Sequence, residues 1–238
     1  MKNIPIHRAG RTRSAAIAVA GLLGLAALSL SAISSQSTTP QMSHDGLILQ
    51  KDTKAAAVFM DPEADFGAYT KYMMLEPYIA FRKNWERDTR VAGRRVPKEH
   101  VAKMKAEAAS LMEEVFQEVL EEKGGYARVT EPDYDVLLLR PAVIDLEVTA
   151  PDIPTAGRRT TYVSSSVAAT LYLELYDSVT GDILGRAIDR QVVRDPGYAS
   201  WANAVTNRAD AKRIYKRWAG WLRQSWDDVH AQFEAMRG

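Results

Sequence analysis

Leu171-Tyr172-Leu173-Glu174-Leu175-Tyr176-Asp177-Ser178-Val179-Thr180-Gly181-Asp182-Ile183-Leu184 alternates apolar and polar side chains, breaks into turn chemistry, and resumes. Successive side chains on a strand point to opposite faces. Leu171, Leu173 and Leu175 therefore share one face, with Tyr172, Glu174 and Tyr176 on the other. Residues 178–182 form a turn, and residues 183–194 read as the returning strand of an antiparallel hairpin. Working outward, residues 126–130, 136–148 and 162–176 also read as strands, with a Pro- and Gly-containing loop at 151–159.

This run of strands is bracketed by two helical patterns. In the first, Val101, Met104, Ala108, Leu111, Met112, Val115, Phe116, Val119 and Leu120 recur at spacings of three and four, with Lys and Glu opposite. Pro97 suits its first position, and Gly124 suits a left-handed stop. The second runs from Asn207 through Ile214, Trp218, Leu222, Trp226, Val229 and Phe233, with Asp210 placed for a capping-box-like pair. An apolar helix face must cover something, and a largely antiparallel sheet offers it. The expected fold is a two-layer α+β sandwich with both long amphipathic helices on one face of the sheet.

Short strands are expected at residues 46–50 and 56–60, and a longer one at 72–81, where Pro77 demands an edge or a bulge. Residues 81–95 are densely charged and read as an exposed excursion. There is no internal repeat.

Ahead of this body, the cations Lys2, Arg8, Arg11 and Arg13 precede an apolar run from Ala15 to Ile33. A basic region, a short apolar stretch and small-x-small sites at Ser29-Leu30-Ser31 and Ala32-Ile33-Ser34 are the features of a secretory signal. Stretched to Ile33, the run also approaches the roughly 20 residues of an uncleaved anchor. Residues 34–45, rich in Ser, Thr, Gln and Pro, read as a flexible tether. The expected organisation is a leader over 1–34, a tether over 35–45 and a single domain over 46–238.

Composition narrows the chemistry. The 238 residues hold 31 Lys and Arg against 30 Asp and Glu, so net charge gives no argument for nucleic acid. There is no cysteine, which removes disulfides, thiolate metal sites and thiol nucleophiles. The histidines are His7, His44, His100 and His230, no two at helical metal-ligand spacing; His100 and His230 read as solvated surface groups. No glycine-rich phosphate loop or serine elbow occurs, and Ser164-Ser165-Ser166 lies on an expected strand. No cofactor, metal or catalytic residue is assigned.

Asp145, Glu147, Glu174 and Asp189 fall on strands, with Asp145 and Glu147 spaced to point the same way. Such carboxylates could hydrolyse a glycosidic bond. They could equally pair across strands with Arg186 and Arg190, the reading preferred here. Binding offers two other candidates. In the excursion, Arg82, Lys83, Trp85 and Arg87 set an aromatic among charges, a composition common in interfaces, unless Trp85 packs back onto the body. On the last helix, Arg213, Arg217 and Trp221 stand among Arg208, Lys212, Lys216 and Arg223, near Trp218 and Trp226. In an exported chain this suggests an anionic membrane surface or an envelope polymer, unless the tryptophans are core and the basic face is solvated.

The chain also resembles a family of bacterial lipoproteins grouped only as domain-of-unknown-function family 3313. The resemblance rests on Asp45-Gly46-Leu47, Phe81-Arg82-Lys83-Asn84-Trp85, Glu122-Lys123-Gly124-Gly125-Tyr126 and Leu139-Arg140-Pro141-Ala142. It extends through Ala150-Pro151-Asp152, Asp177-Ser178-Val179-Thr180-Gly181 and Trp201-x-Asn203-x-Val205-Thr206-Asn207-Arg208-Ala209. It implies a Gram-negative envelope protein, often tethered by an N-terminal lipid, and carries no catalytic residues. The chain departs from that pattern in one place. In Leu30-Ser31-Ala32-Ile33, isoleucine stands where a lipoprotein signal would place the lipidated cysteine. The expectation is therefore an exported, unlipidated protein, more readily a non-enzymatic binding or structural module than a glycan hydrolase or a membrane-surface sensor. Its expected partners are an envelope protein, a cell-wall polymer or an anionic membrane, with no nucleic acid.

Overall fold

The structure, a computed structural model, describes residues 42–91, 94–148, 166–194 and 204–237. The leader, most of the tether, the 151–159 loop, Ser164, Ser165 and the start of the expected third strand lie outside the described residues.

The hairpin sits at the centre of the sheet. β9 (Ser166–Asp177) and β10 (Ile183–Arg194) pair antiparallel from Ile183↔Tyr176 to Arg194↔Ser166. The turn is held by the Asp177 carboxylate, which accepts from the backbone N–H of Val179 at 2.8 Å and Thr180 at 2.7 Å. Gly181 takes φ +76° there, a conformation glycine adopts freely. On the far side of β9, β8 (Val136–Val148) is also antiparallel, with Leu139↔Leu175 and Val143↔Leu171 in register.

On the β10 side, β2 (Ala57–Met60) pairs with β10, and β1 (Ile48–Leu49) pairs with β2, both antiparallel. On the β8 side the expected single strand over 72–81 is two strands. β3 (Lys71–Met74) and β4 (Tyr78–Phe81) lie end to end along β8, both parallel to it. The break falls at Leu75-Glu76-Pro77, where proline offers no N–H to a ladder. The short β7 (Ala127–Arg128) pairs with β3. Parallel neighbours require a crossover connection, and a helix supplies it. The excursion between β4 and that helix contains α1 (Trp85–Asp88) and a small separate hairpin, β5 (Arg90–Val91) with β6 (Arg94–Arg95).

α2 (Lys98–Gln117) starts one residue after Pro97, which serves as its N-cap, and closes with a π-helical turn, Glu118–Glu122. The left-handed residue after it is Gly125 (φ +78°), not Gly124. Gly124 is needed for space instead: a Cβ there would lie 2.6 Å from the Leu120 carbonyl oxygen. α3 (Ala204–Arg237) begins three residues before Asn207, so the expected cap lies inside the helix. Helix-propensity penalties for such polar residues stay below about 1 kcal/mol, small beside the packing of this helix.

The two long helices lie on one face of the sheet, as expected. Val115 and Phe116 from α2, Leu120 from the π-helical turn that follows it, and Ile214, Tyr215 and Trp218 from α3 are buried with Leu139, Val143, Leu171 and Leu173. The helices run parallel. Glu114 bonds to Arg208 (2.7 Å) and Lys212 (3.0 Å), and Glu118 to Lys216 (2.9 Å). Further along, the Trp226 indole N–H donates to the Tyr69 carbonyl (3.0 Å), Tyr126 stacks on Trp226 at 4.1 Å, and the Tyr126 hydroxyl donates to Asp227 (2.7 Å). His230 belongs to this cluster, its Nε2 2.8 Å from the same carbonyl. It is a partly buried packing residue and not a solvated surface histidine. Among the described residues no helix is long and apolar enough to cross a membrane.

Candidate functional site

The face of the sheet opposite the helices carries the polar half of the hairpin. Glu174 stands at its centre and is only 7 % exposed. Its carboxylate accepts from Arg186 Nη2 (3.0 Å), Arg140 Nη1 (3.3 Å) and the Tyr176 hydroxyl (2.9 Å). Arg140, Glu174 and Arg186 are directly opposite one another on β8, β9 and β10, so strand register alone assembles the row. The Arg186 guanidinium lies over the Tyr172 ring at 5.6 Å and also grips Asp45. That contact corrects the expected tether. Ser43 bonds back to the Leu47 backbone, Met42 bridges to Ile48 and Asp45 pairs with Arg186, so residues 42–45 pack onto the body. The Arg186 guanidinium, with the Ser43 hydroxyl beside it, holds the Asp45 carboxyl well below its usual range.

The remaining strand carboxylates separate. Glu147 pairs with Arg82 and, at 3.7 Å, with Arg190. Asp189 points to the helix side, where it accepts from the Trp218 indole N–H (2.9 Å), the Gln191 amide (2.6 Å) and the Ala56 backbone (3.1 Å). Asp145 sits in a β-bulge at φ +50° and is exposed. The extra residue breaks the alternation between Asp145 and Glu147, so their two-residue spacing no longer implies a common face. Cross-strand pairing with Arg186 and Arg190 describes Glu174 and Glu147 but not Asp189 or Asp145. Among the described residues no cluster of His, Asp and Glu has metal-site geometry.

The excursion splits into core and surface. Trp85 is 4 % exposed, stacks on Phe81 at 4.1 Å and donates its indole N–H to the Val148 carbonyl at 3.2 Å. It packs back onto the body. Arg82, Lys83 and Arg87 stay exposed, with Arg82 on Glu147 and Arg87 on Asp88 (2.9 Å). On α3 the tryptophans belong to the body: Trp218 and Trp226 are buried, and Trp221 packs half-buried against the core. The basic face is not simply solvated. Arg208, Lys212 and Lys216 meet glutamates of α2, Arg213 pairs with Asp210 (3.3 Å), Arg223 with Asp227 (3.4 Å), and Arg217 donates to Gln191 (2.5 Å). The two sets stay on different layers. Arg82 reaches Glu147 on the open sheet face, whereas Arg213, Arg217 and Trp221 ride on the helix layer.

Sequence reasoning missed a cleft of about 400 Å³ between the N-terminal halves of α2 and α3. Phe81, Leu146, Val148 and Val167 from the sheet lie at its base, with Met104, Ala108, Ala211 and Tyr215 on the helix walls. His100, Lys103, Glu107 and Arg208 also line it. Five elements distant in sequence build it. The available signal was the small residue on each facing helix, Ala108 and Ala211.

A family model described as a protein of unknown function (DUF3313) matches residues 41–222. No curated protein matches the chain. Among solved structures, the PelC dodecamer from Paraburkholderia phytofirmans is 14% identical with a TM-score of 0.34, over 70% of this chain and 96% of that one. A DUF330 protein from Xanthomonas campestris is 13% identical with a TM-score of 0.38, over 74% and 93%. A neuraminyllactose-binding hemagglutinin homolog from Helicobacter pylori is 12% identical with a TM-score of 0.36, over 73% and 89%. Likenesses at this level carry no argument about binding or assembly.

Proposed function

The chain belongs to the family of proteins of unknown function DUF3313, and from that premise we propose that it is a non-enzymatic binding module of the cell envelope. Its apolar leader would direct it across the inner membrane, to work in the periplasm or at the outer membrane. The chain has no cysteine on which a lipoprotein lipid could be placed. The observation that carries the non-enzymatic reading is the state of the strand carboxylates. Glu174, Glu147 and Asp189 are each engaged by arginine, tyrosine, tryptophan or amide donors of the chain itself. A general acid or base has to reach a substrate proton, and these groups are turned to structural partners. The cleft between the helices is of a size to hold a ligand.

The test is to incubate the purified chain with isolated cell-wall sacculi and to crosslink it in envelope extracts. A crosslinked partner or polymer above background, with no release of soluble glycan, is the expected result. Glycan release that disappears in Asp145→Asn or Glu147→Gln would overturn the reading.

A further inference from the structure

The cleft between α2 and α3 combines three features that select a ligand class. Its base is apolar, made by Phe81, Leu146, Val148 and Val167. Water gains little in such a space, and an apolar occupant gains from leaving water. The second feature is the cationic lining. Lys103 lies 3.8 Å from Glu107, and both side chains are mostly exposed, so this ammonium is loosely held. Arg208 uses Nη2 on Glu114 at 2.7 Å, and a guanidinium has five N–H donors in all. The cleft lining itself holds one carboxylate, Glu107, while Glu114, outside the lining, engages Arg208 through Nη2 and leaves its other donors to the cleft.

The third feature comes from topology. The Glu114 and Glu118 bonds mark the helices as parallel, and both line the cleft with residues from their N-terminal halves. The N-terminal end of a helix carries partial positive charge. That charge fades within the first turn, so it reaches the cleft only near His100 and Asn207, and Lys103 and Arg208 set the preference.

We propose that this cleft binds a single-chain amphiphile with an anionic head group, the chain lying against Phe81 and Val148 and the head held by Lys103 and Arg208. The assignment rests on the reading of the protein as a binding module and gives that module a ligand class.

The chain recovered from the envelope of expressing cells is titrated with dodecanoate, dodecanol and dodecyltrimethylammonium, each below its aggregation threshold, and followed by calorimetry. Saturable one-to-one binding of dodecanoate, tighter than either of the others, is the expected result. Ala108→Trp fills the cleft and is expected to weaken dodecanoate by about tenfold or more, equivalent to about 1.4 kcal/mol. Lys103→Glu changes an exposed side chain that makes none of the bonds between α2 and α3, and is expected to weaken dodecanoate and move the preference toward dodecyltrimethylammonium. If Ala108→Trp fails to fold, this second variant decides the matter.

The proposal is overturned if wild-type chain binds no dodecanoate, if it binds the three probes equally, or if charge reversal leaves the preference unchanged. Should dodecanoate fail while crosslinking in envelope extracts still captures a partner, the cleft assignment falls and the binding-module reading stands.

Discussion

Arg186 is the residue on which the open sheet face depends, because two carboxylates share its guanidinium. Removing it leaves Glu174 buried and Asp45 without its partner. Breaking a buried pair from one side costs about 3–5 kcal/mol, whereas replacing both members with apolar residues is often nearly neutral. Arg186→Met is therefore expected to lower the denaturation midpoint sharply in urea, and Arg186→Met with Glu174→Leu to recover the part owed to Glu174 while Asp45 stays without its partner. Asp45 adds a pH dependence. Its folded carboxyl lies below the ordinary value, so its contribution is complete above about pH 4 and is lost as pH falls through the folded value. Urea titrations at successive acidic pH values should show that Asp45→Asn flattens the acid limb and leaves the slope near neutrality unchanged. Gly124→Ala should cost about 1–3 kcal/mol through overpacking against the Leu120 carbonyl. At this scale the row Arg140, Glu174, Arg186 was partly legible, because strand alternation is local and puts Glu174 and Arg186 on one face. The bond from Trp218 to Asp189 was not, since it joins a helix to a strand that only the fold brings together.

Among the elements, the excursion over 81–95 best separates what composition suggests from what packing decides. A tryptophan among charges reads as an interface, yet Trp85 closes the sheet edge by stacking on Phe81 and bonding to Val148. Trp85→Ala should cost about 3–5 kcal/mol in urea unfolding, while Lys83→Ala should leave stability unchanged. A Trp85→Ala chain that kept full stability but lost partner capture would restore the interface reading. The hairpin and the apolar face of α2 were visible in the sequence because their periods repeat over many residues. The bulge at Asp145, the split at Leu75-Glu76-Pro77 and the start of α3 were not. Each depends on which neighbour a backbone group finds, and periodicity does not record that. The cleft was hidden for the same reason.

For the whole molecule, an apolar N-terminal run without a lipidation cysteine precedes a sheet-and-helix body in which Glu174, Glu147 and Asp189 are held by partners of the chain itself. Mass spectrometry of the N-terminus of the exported chain should find cleavage near Ser31 or Ser34; an intact residue 1 would instead make the apolar run an inner-membrane anchor. The central claim is that the body works by holding a molecule and releasing it unchanged. Native mass spectrometry of the chain, released gently from the envelope of expressing cells, tests this most directly. The account predicts a bound molecule at one per chain that is chemically intact when recovered. A chain that carries nothing under any gentle release, or one that returns its ligand cleaved, would contradict it.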